Sequence, residues 1–351
     1  MSIINALKNS TGKITMLADG FVDEVWEIIN TRASLENYTL YTQMTQFADR
    51  IKSSGTGGVG LELLRKRRAF GGFTANIGYA AARLGVDSAL IGVYGKENLD
   101  PIFEDVGRLC RVFSLDDPAT THVFEFDDGK ILMSHMEAVQ DINWKRITDS
   151  VGAENMAKLL SESNIIGIGY WSLVPAFDEI FDNVCANLPQ DGKERRFFFD
   201  FADFRKKDEE SLNTSLKKIA DMNAKFPMTL SVNEHEAATL FATYGETFDD
   251  AGRPIKEKAE YIRQQIGLDE FVIHSPEYAV ATSSKESPAF ASAVFCEKPI
   301  RTAGAGDTFN GGYIAATLAG LNLEDRLHVA NAAVGYFIRN AIFPEIQNLS
   351  L

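Results

Sequence analysis

Short apolar runs alternate with amphipathic stretches along most of the chain, and that rhythm carries the first structural expectation. Residues 14–18 read as a buried strand running into Asp19-Gly20-Phe21-Val22-Asp23. Residues 24–70 keep no such rhythm. They mix aromatics (Trp26, Tyr38, Tyr41, Phe47) with a glycine-rich run and the basic cluster Arg65-Lys66-Arg67-Arg68, and read as part of a lid outside the main sheet. Gly71-Gly72-Phe73-Thr74-Ala75-Asn76 opens a helix that ends at Leu84-Gly85, with Gly85 suited to the position just past a helix end. A strand follows at 88–93, and Asp100-Pro101 starts another helix with a side-chain cap and a first-turn proline. Residues 122–126 and 131–135 flank Asp127-Asp128-Gly129-Lys130, a hairpin signal that completes the lid. Beyond about residue 150, apolar strands at 164–169, 196–201, 228–232 and 271–274 alternate with helical patterns. That alternation predicts an α/β fold with a parallel sheet covered on both faces. Ligands of such sheets sit at the carboxyl ends of strands, where Asp23, Asp200 and Asn233 fall.

A chain of 351 residues suits one large α/β domain, or one with a smaller appendage. The net charge of −14 argues against a nucleic-acid backbone or an anionic membrane as main partner, so an anionic substrate would need a local positive site. Cys110, Cys185 and Cys296 form neither a metal-ligand spacing nor a disulfide framework, and a reduced cytoplasm is the expected setting. No run is long and apolar enough for a signal peptide, an anchor or a membrane span.

The chemistry centres on the stretch from Arg301 to Gly312. Gly304, Ala305 and Gly306 stand directly before Asp307 at the head of an Ala-rich helical run. Such a segment presents backbone N–H groups that nothing inside the helix can satisfy, and the glycines keep side chains out of a ligand's way. A carboxylate in that first turn coexists with a bound phosphate if it faces a nucleophile's proton while the amides face the developing charge. The bland alternative is a glycine-rich turn with an ordinary acidic cap. Asp23 with Gly71, Gly72 and Asn76 suits a polyol, since a carboxylate accepts two hydroxyl hydrogen bonds and an amide both donates and accepts. The same four residues also suit two turns and a helix start. Asn233 and Glu236 have capping-box spacing, and the same geometry can hold Mg²⁺ through water near phosphates. The basic cluster reads more readily as a solvated face than as a phosphate trap. Gly55-Thr56-Gly57-Gly58-Val59-Gly60 matches the dinucleotide fingerprint formally but follows a polar stretch instead of a buried strand, and no P-loop is present.

Taken together, these residues resemble the ribokinase-like (PfkB) carbohydrate kinases, from about Asp19 to the final helix. Thr302-Ala303-Gly304-Ala305-Gly306-Asp307-Thr308-Phe309 is similar to the second family signature, and Gly71-Gly72 through Leu84-Gly85 to the first. Asn233 and Glu236 fall on the Asn-x-x-Glu motif, and Asp200 to Arg205 resembles the Asp-containing strand end before it. The resemblance implies a three-layer αβα core with a mostly parallel central sheet and a small β lid. It divides the chain into core at 1–23, lid at 24–70, core at 71–110, lid again at 111–136, and core with the nucleotide and catalytic site at 137–351. It implies Asp307 as catalytic base, with the backbone of Gly304, Ala305, Gly306 and Asp307 as anion hole. Asp23, Gly71, Gly72 and Asn76 would hold a sugar. Asn233 and Glu236 would organise Mg²⁺ through water, and His274, Asn331 and Arg301 would serve ATP.

The expected activity is ATP- and Mg²⁺-dependent phosphorylation of a primary hydroxyl on a small sugar, in a cytoplasmic enzyme that dimerises through its lid. A nucleoside kinase and a non-catalytic sugar- or nucleotide-binding regulator are the alternatives. Three departures from the family pattern stand out. Arg301 occupies the place of an Asp that helps bind a monovalent cation, with Ala303 replacing a Thr, which predicts activity independent of K⁺. His274-Ser275-Pro276-Glu277 replaces the usual Thr-x-Gly nucleotide loop, and Gly95-Lys96-Glu97 replaces Gly-x-Asp.

Overall fold

The computed structural model describes residues 2–248 and 252–351. Its strands, in chain order, are β1 (Lys13–Leu17), β2 (Phe21–Arg32), β3 (Tyr38–Leu40), β4 (Glu62–Gly71), β5 (Asp87–Gly92), β6 (Arg111–Ser114), β7 (Ala119–Phe126), β8 (Gly129–His135), β9 (Ile165–Gly169), β10 (Arg196–Asp200), β11 (Met228–Asn233), β12 (Glu270–His274), β13 (Tyr278–Ser283) and β14 (Ala289–Ser292).

Nine of these strands form the main sheet, in the order β14-β13-β12-β11-β10-β9-β1-β5-β6. Neighbours from β12 through β6 run parallel, and β13 and β14 add an antiparallel edge. The strands are short and apolar because both faces are covered. Phe197 and Phe199 of β10 point into one core with the helices Phe177–Asn187 and Glu209–Asn223. Phe198 between them points into the opposite core, with the helices Phe73–Arg83, Ala305–Leu318 and Leu323–Asn340. Successive side chains alternate faces in a strand, and fully burying each such ring contributes about 1.5–3 kcal/mol. The result is a three-layer αβα architecture.

A second sheet, β3-β2-β7-β8 with β4 paired to β2, stands beside the main one. Its strand β2 runs parallel to β7 and antiparallel to β4. Ile28, Tyr41 and Phe47 form a separate small core, with the helix Met44–Ser53 supplying Phe47. Two sequence expectations are corrected here. Arg111–Ser114 pairs with β5 in the main sheet instead of opening the second lid segment, because its register continues the buried parallel array. Asp23 lies within β2, paired with Ala69 and Thr121, instead of just past a strand end. No helix among the described residues is long and apolar enough to cross a membrane.

Candidate active site

The carboxyl ends of the parallel strands converge on the start of the helix Ala305–Leu318. Asp19 follows β1, Tyr170 follows β9, and Asp200, Asn233 and His274 end β10, β11 and β12. The helix begins after Gly304, whose φ of 84° is a left-handed conformation that glycine adopts without strain. A Cβ at Gly304 would also stand 3.2 Å from the side-chain nitrogen of Asn76. The amide of Ala305 donates to the Thr302 carbonyl at 3.1 Å, whereas those of Gly306 and Asp307 meet no acceptor among the described residues. Of the four amides expected as an anion hole over Gly304 to Asp307, that of Ala305 is therefore already engaged, and those of Gly306 and Asp307 within the helix are open.

Asp307 is buried. Its Oδ2 accepts from Asn76 Nδ2 at 2.8 Å and its Oδ1 from the Tyr170 hydroxyl at 2.7 Å. Burial, and then the charge of Asp200, push its carboxyl well above the usual carboxylate range, against the pull of those two donors. Asp200 is raised well above that range as well, by burial and then by the charge of Glu236. Asn310, one turn beyond Asp307, donates to Asp200 at 3.0 Å and accepts from Ser231 at 2.6 Å, which ties the helix to β10 and β11.

On the lid side lie Asp23, Gly71, Gly72 and Asn76. A Cβ at Gly71 would stand 2.7 Å from the Asp23 carboxylate, and one at Gly72 would stand 3.0 Å from that of Asp19. Gly72 offers no side chain to cap the helix Phe73–Arg83, and Asp19 supplies the cap from the segment just after β1. Its oxygens accept the amides of Phe73 at 2.8 Å and Thr74 at 2.9 Å. Burial pushes both Asp19 and Asp23 up to about 6; for Asp23 the positive charges of Arg301, Lys130 and Arg67 oppose the shift. Asn76 Oδ1 is buried with no hydrogen-bond partner.

On the far side of the helix start is a cavity of about 470 Å³ with a mostly apolar wall, including His274, Phe309, Asn331, Val334 and Ile338. His274 packs on Phe309 with ring centroids 5.0 Å apart, and burial pulls its imidazole down to about 4, so it is neutral near pH 7. Asn331 donates to the Ala291 carbonyl at 3.4 Å, fixing its side chain at the cavity rim. Asn233 and Glu236 form the capping box, with Glu236 accepting the Asn233 amide at 2.9 Å and Asn233 accepting the Glu236 amide at 3.0 Å. Both border a polar cavity of about 410 Å³ that also includes Asp203. Burial raises the Glu236 carboxyl to about 7. No group of three or more His, Cys, Asp or Glu among the described residues could cage a metal ion.

At the helix start Asp307, held by Asn76 and Tyr170, stands beside two open amides, and Ala305, Gly306 and Phe309 of the same helix line the apolar cavity. Comparison with known proteins then places the chain. The family model described as prokaryotic ketohexokinase matches residues 6–351. The chain belongs to the prokaryotic ketohexokinase family, and it is a carbohydrate kinase. The ketohexokinase of Haloferax volcanii is 25% identical over 342 residues, 96% of this chain and 90% of that protein. Among solved structures, Arabidopsis thaliana ribokinase complexed with ribose and ATP superposes with a TM-score of 0.64 at 16% identity, covering 97% of this chain and 96% of that one. Adenosine kinase from Sinorhizobium meliloti gives 0.64 at 16% identity, covering 94% of each chain. These likenesses establish the shared ribokinase fold.

Arg301 does not border the apolar cavity of this kinase. Its guanidinium donates to the carbonyls of Ala303 at 3.1 Å and Phe70 at 3.3 Å, and lies 4.9 Å over the Phe337 ring. It thus staples the end of β4 to the loop before Gly304. The basic cluster is spent within and beside the lid. Lys66 pairs with Glu27 at 3.0 Å, Arg67 with Glu125 at 2.9 Å and Arg68 with Asp100 at 2.9 Å, while Arg65 lies over Trp26. Sequence reasoning overlooked Tyr170 and the capping role of Asp19. The signal that could have found Tyr170 is the strand-end rule that singled out Asp200 and Asn233, since Tyr170 directly follows the fully buried strand Ile165–Gly169.

Proposed function

We propose that this kinase transfers the γ-phosphoryl group of ATP to a primary hydroxyl of a ketohexose, with Asp307 as general base. The observation that carries the reading is the placement of Asp307 between Asn76, which donates to it at 2.8 Å, and the apolar cavity lined by Ala305, Gly306 and Phe309 of the same helix, with the amides of Gly306 and Asp307 open. The sugar binds against Asp23 and Asn76, with Asp23 accepting hydroxyl hydrogens and the bare edges of Gly71 and Gly72 allowing close approach. The nucleobase enters the apolar cavity beside neutral His274 and Asn331.

The acceptor hydroxyl gives its proton to Asp307 as its oxygen bonds to the γ-phosphorus. The bond from that phosphorus to the β–γ bridging oxygen breaks, and ADP leaves with the electron pair. The amides of Gly306 and Asp307 meet the charge on the moving phosphoryl group; positioning and charge stabilisation are most of what this reaction asks of a protein. Mg²⁺, when bound, neutralises phosphate charge; Asn233 and Glu236 fit it through water, consistent with a small cation that keeps several waters. Arg301 supplies a fixed cation at the Ala303 carbonyl, where a monovalent ion would otherwise sit. Exposed Leu63, Leu132 and Met133 on the lid form the surface on which a second copy docks. A reduced cytoplasm suits the three free thiols.

The test is an ADP-release panel of fructose, ribose, 2-keto-3-deoxy sugars and adenosine. Fructose is expected to give the highest kcat/KM. Preference for adenosine would replace the reading with a nucleoside kinase, and sugar binding without turnover on any acceptor would make the protein a regulator.

A further inference from the structure

Asp307 has two hydrogen-bond donors, and they sit in different surroundings. Asn76 holds Oδ2 and carries a buried oxygen of its own with no partner, so an incoming hydroxyl has a vacant acceptor on that side. Tyr170 holds Oδ1 from behind. Its position is rigid: the amides of Leu173 and Val174 both donate to its carbonyl at 3.0 Å, and its ring stands edge-on to Phe73, 5.7 Å between centroids. Phe73 is itself anchored through its amide to Asp19. We propose that Tyr170 is a positioning residue for the base, its hydroxyl fixing the Asp307 carboxylate in its ionised form with Oδ2 turned toward the acceptor.

The proposal rests on Asp307 being the base. Every other charged neighbour fails to do what the phenol does. Asp200 from β10 and Asp19 from the segment after β1 oppose ionisation of Asp307, and Glu236 from the helix after β11 adds a third nearby carboxyl. Arg301, from the preceding loop, is attracted to Asp307, but its hydrogen bonds go to backbone carbonyls. His274 from β12 is neutral and packs against Gly306. The phenol keeps its own proton, because burial and then the Asp307 charge push it well above the usual tyrosine range. It is therefore a donor at every working pH.

The test compares Tyr170→Phe, 3-fluorotyrosine at position 170 and Asp307→Asn by pH profiles of kcat at saturating ATP and sugar. Tyr170→Phe keeps the ring packing and removes one donor to a charged acceptor. Turnover at pH 7 should fall about 10- to 100-fold and recover toward alkaline pH, as the acid-side limb of the profile moves up, with the sugar KM within about threefold. The fluorinated ring keeps the hydroxyl and donates more strongly, so the limb should move down; this arm decides the matter if Tyr170→Phe does not fold. A limb unmoved by both changes overturns the proposal, since a purely structural role would lower turnover without shifting it. Loss of turnover in Asp307→Asn together with an unmoved limb discards the Tyr170 role alone. Retained turnover in Asp307→Asn discards both the base and its positioning.

Discussion

Strands β10 and β12 carry titratable or charged residues at both ends, Arg196 and Asp200 on one, Glu270 and His274 on the other. At the amino ends every charge is matched. Arg196 meets Asp269 at 2.7 Å, and Arg326 meets Glu270 at 2.8 Å, all four side chains nearly buried. Burial alone would raise the Asp269 carboxyl, but the Ser284 hydroxyl and Arg196 outweigh it and hold it below the usual range. At the carboxyl ends, Asp200, Glu236 and Asp307 are all raised, and no Lys or Arg forms an ion pair with any of them among the described residues. One end of the sheet satisfies its charges and holds the fold together. The other leaves buried carboxyls without a cationic partner, and under the proposed function one of them, Asp307, takes the acceptor's proton.

The sharpest way to break this contrast is Asp307→Asn. Turnover should fall by about 10²- to 10⁴-fold, the usual worth of a general base. The thermal midpoint should hold or rise, because a buried charge near Asp200 is gone. Near-wild-type kcat would remove the base from the mechanism.

Glu270→Ala should do the reverse. It strips Arg326 of the nearer of its two carboxylate partners, Glu286 remaining at 3.8 Å, in a nearly buried site, at a cost of about 3–5 kcal/mol in denaturant unfolding, while the folded fraction keeps its kcat. Unchanged unfolding with lost turnover would invert the division of labour between the two ends.

A smaller effect comes from pH. Asp23 has a folded value of about 6 against an ordinary 3.8. Below about pH 6 it gains a proton and loses acceptor capacity, so the sugar KM should rise about tenfold from pH 7 to pH 5. Asp23→Asn should flatten that dependence. For stability the sign is opposite. The contribution of Asp23 is fully present below 3.8 and is lost as pH rises through about 6, because the folded state binds the proton more tightly.

The mildest prediction concerns salt. With Arg301 fixed against the Ala303 carbonyl, replacing Na⁺ with K⁺ at constant ionic strength should leave kcat unchanged. A strong rise would show that the guanidinium does not serve as the cation.

Much of this architecture was legible beforehand where the signal is local. The strands β1, β5 and β9 to β12 stand near where short apolar runs placed them, since a strand buried on both faces has little choice but Ile, Val, Leu and Phe. The capping box at Asn233 and Glu236 was readable from a spacing of three residues. β13 and β14 went unnoticed because Ala279, Ala281, Ala289 and Ala291 are small and carry little strand signal; their place comes from pairing with β12 and with each other. β6 was assigned to the lid because its half-buried pattern resembles an exposed strand, and only its parallel register with β5 puts it in the core sheet.

The chain by itself determined a covered parallel sheet, a helix opening on glycines with Asp307 in its first turn, and the polar residues at strand ends, because hydrophobic period, backbone freedom and capping act over a few neighbouring positions. The tertiary structure decided what those residues meet. Tyr170 lies 137 residues from Asp307 and Asn76 lies 231 away, yet both hold its carboxylate. Asp19 caps a helix that begins more than fifty residues later. Arg301 staples the end of β4 to the loop before Gly304, a contact across 231 positions. A hydrogen bond depends on a few ångströms and an angle, and only the packed layers bring such distant positions within that reach.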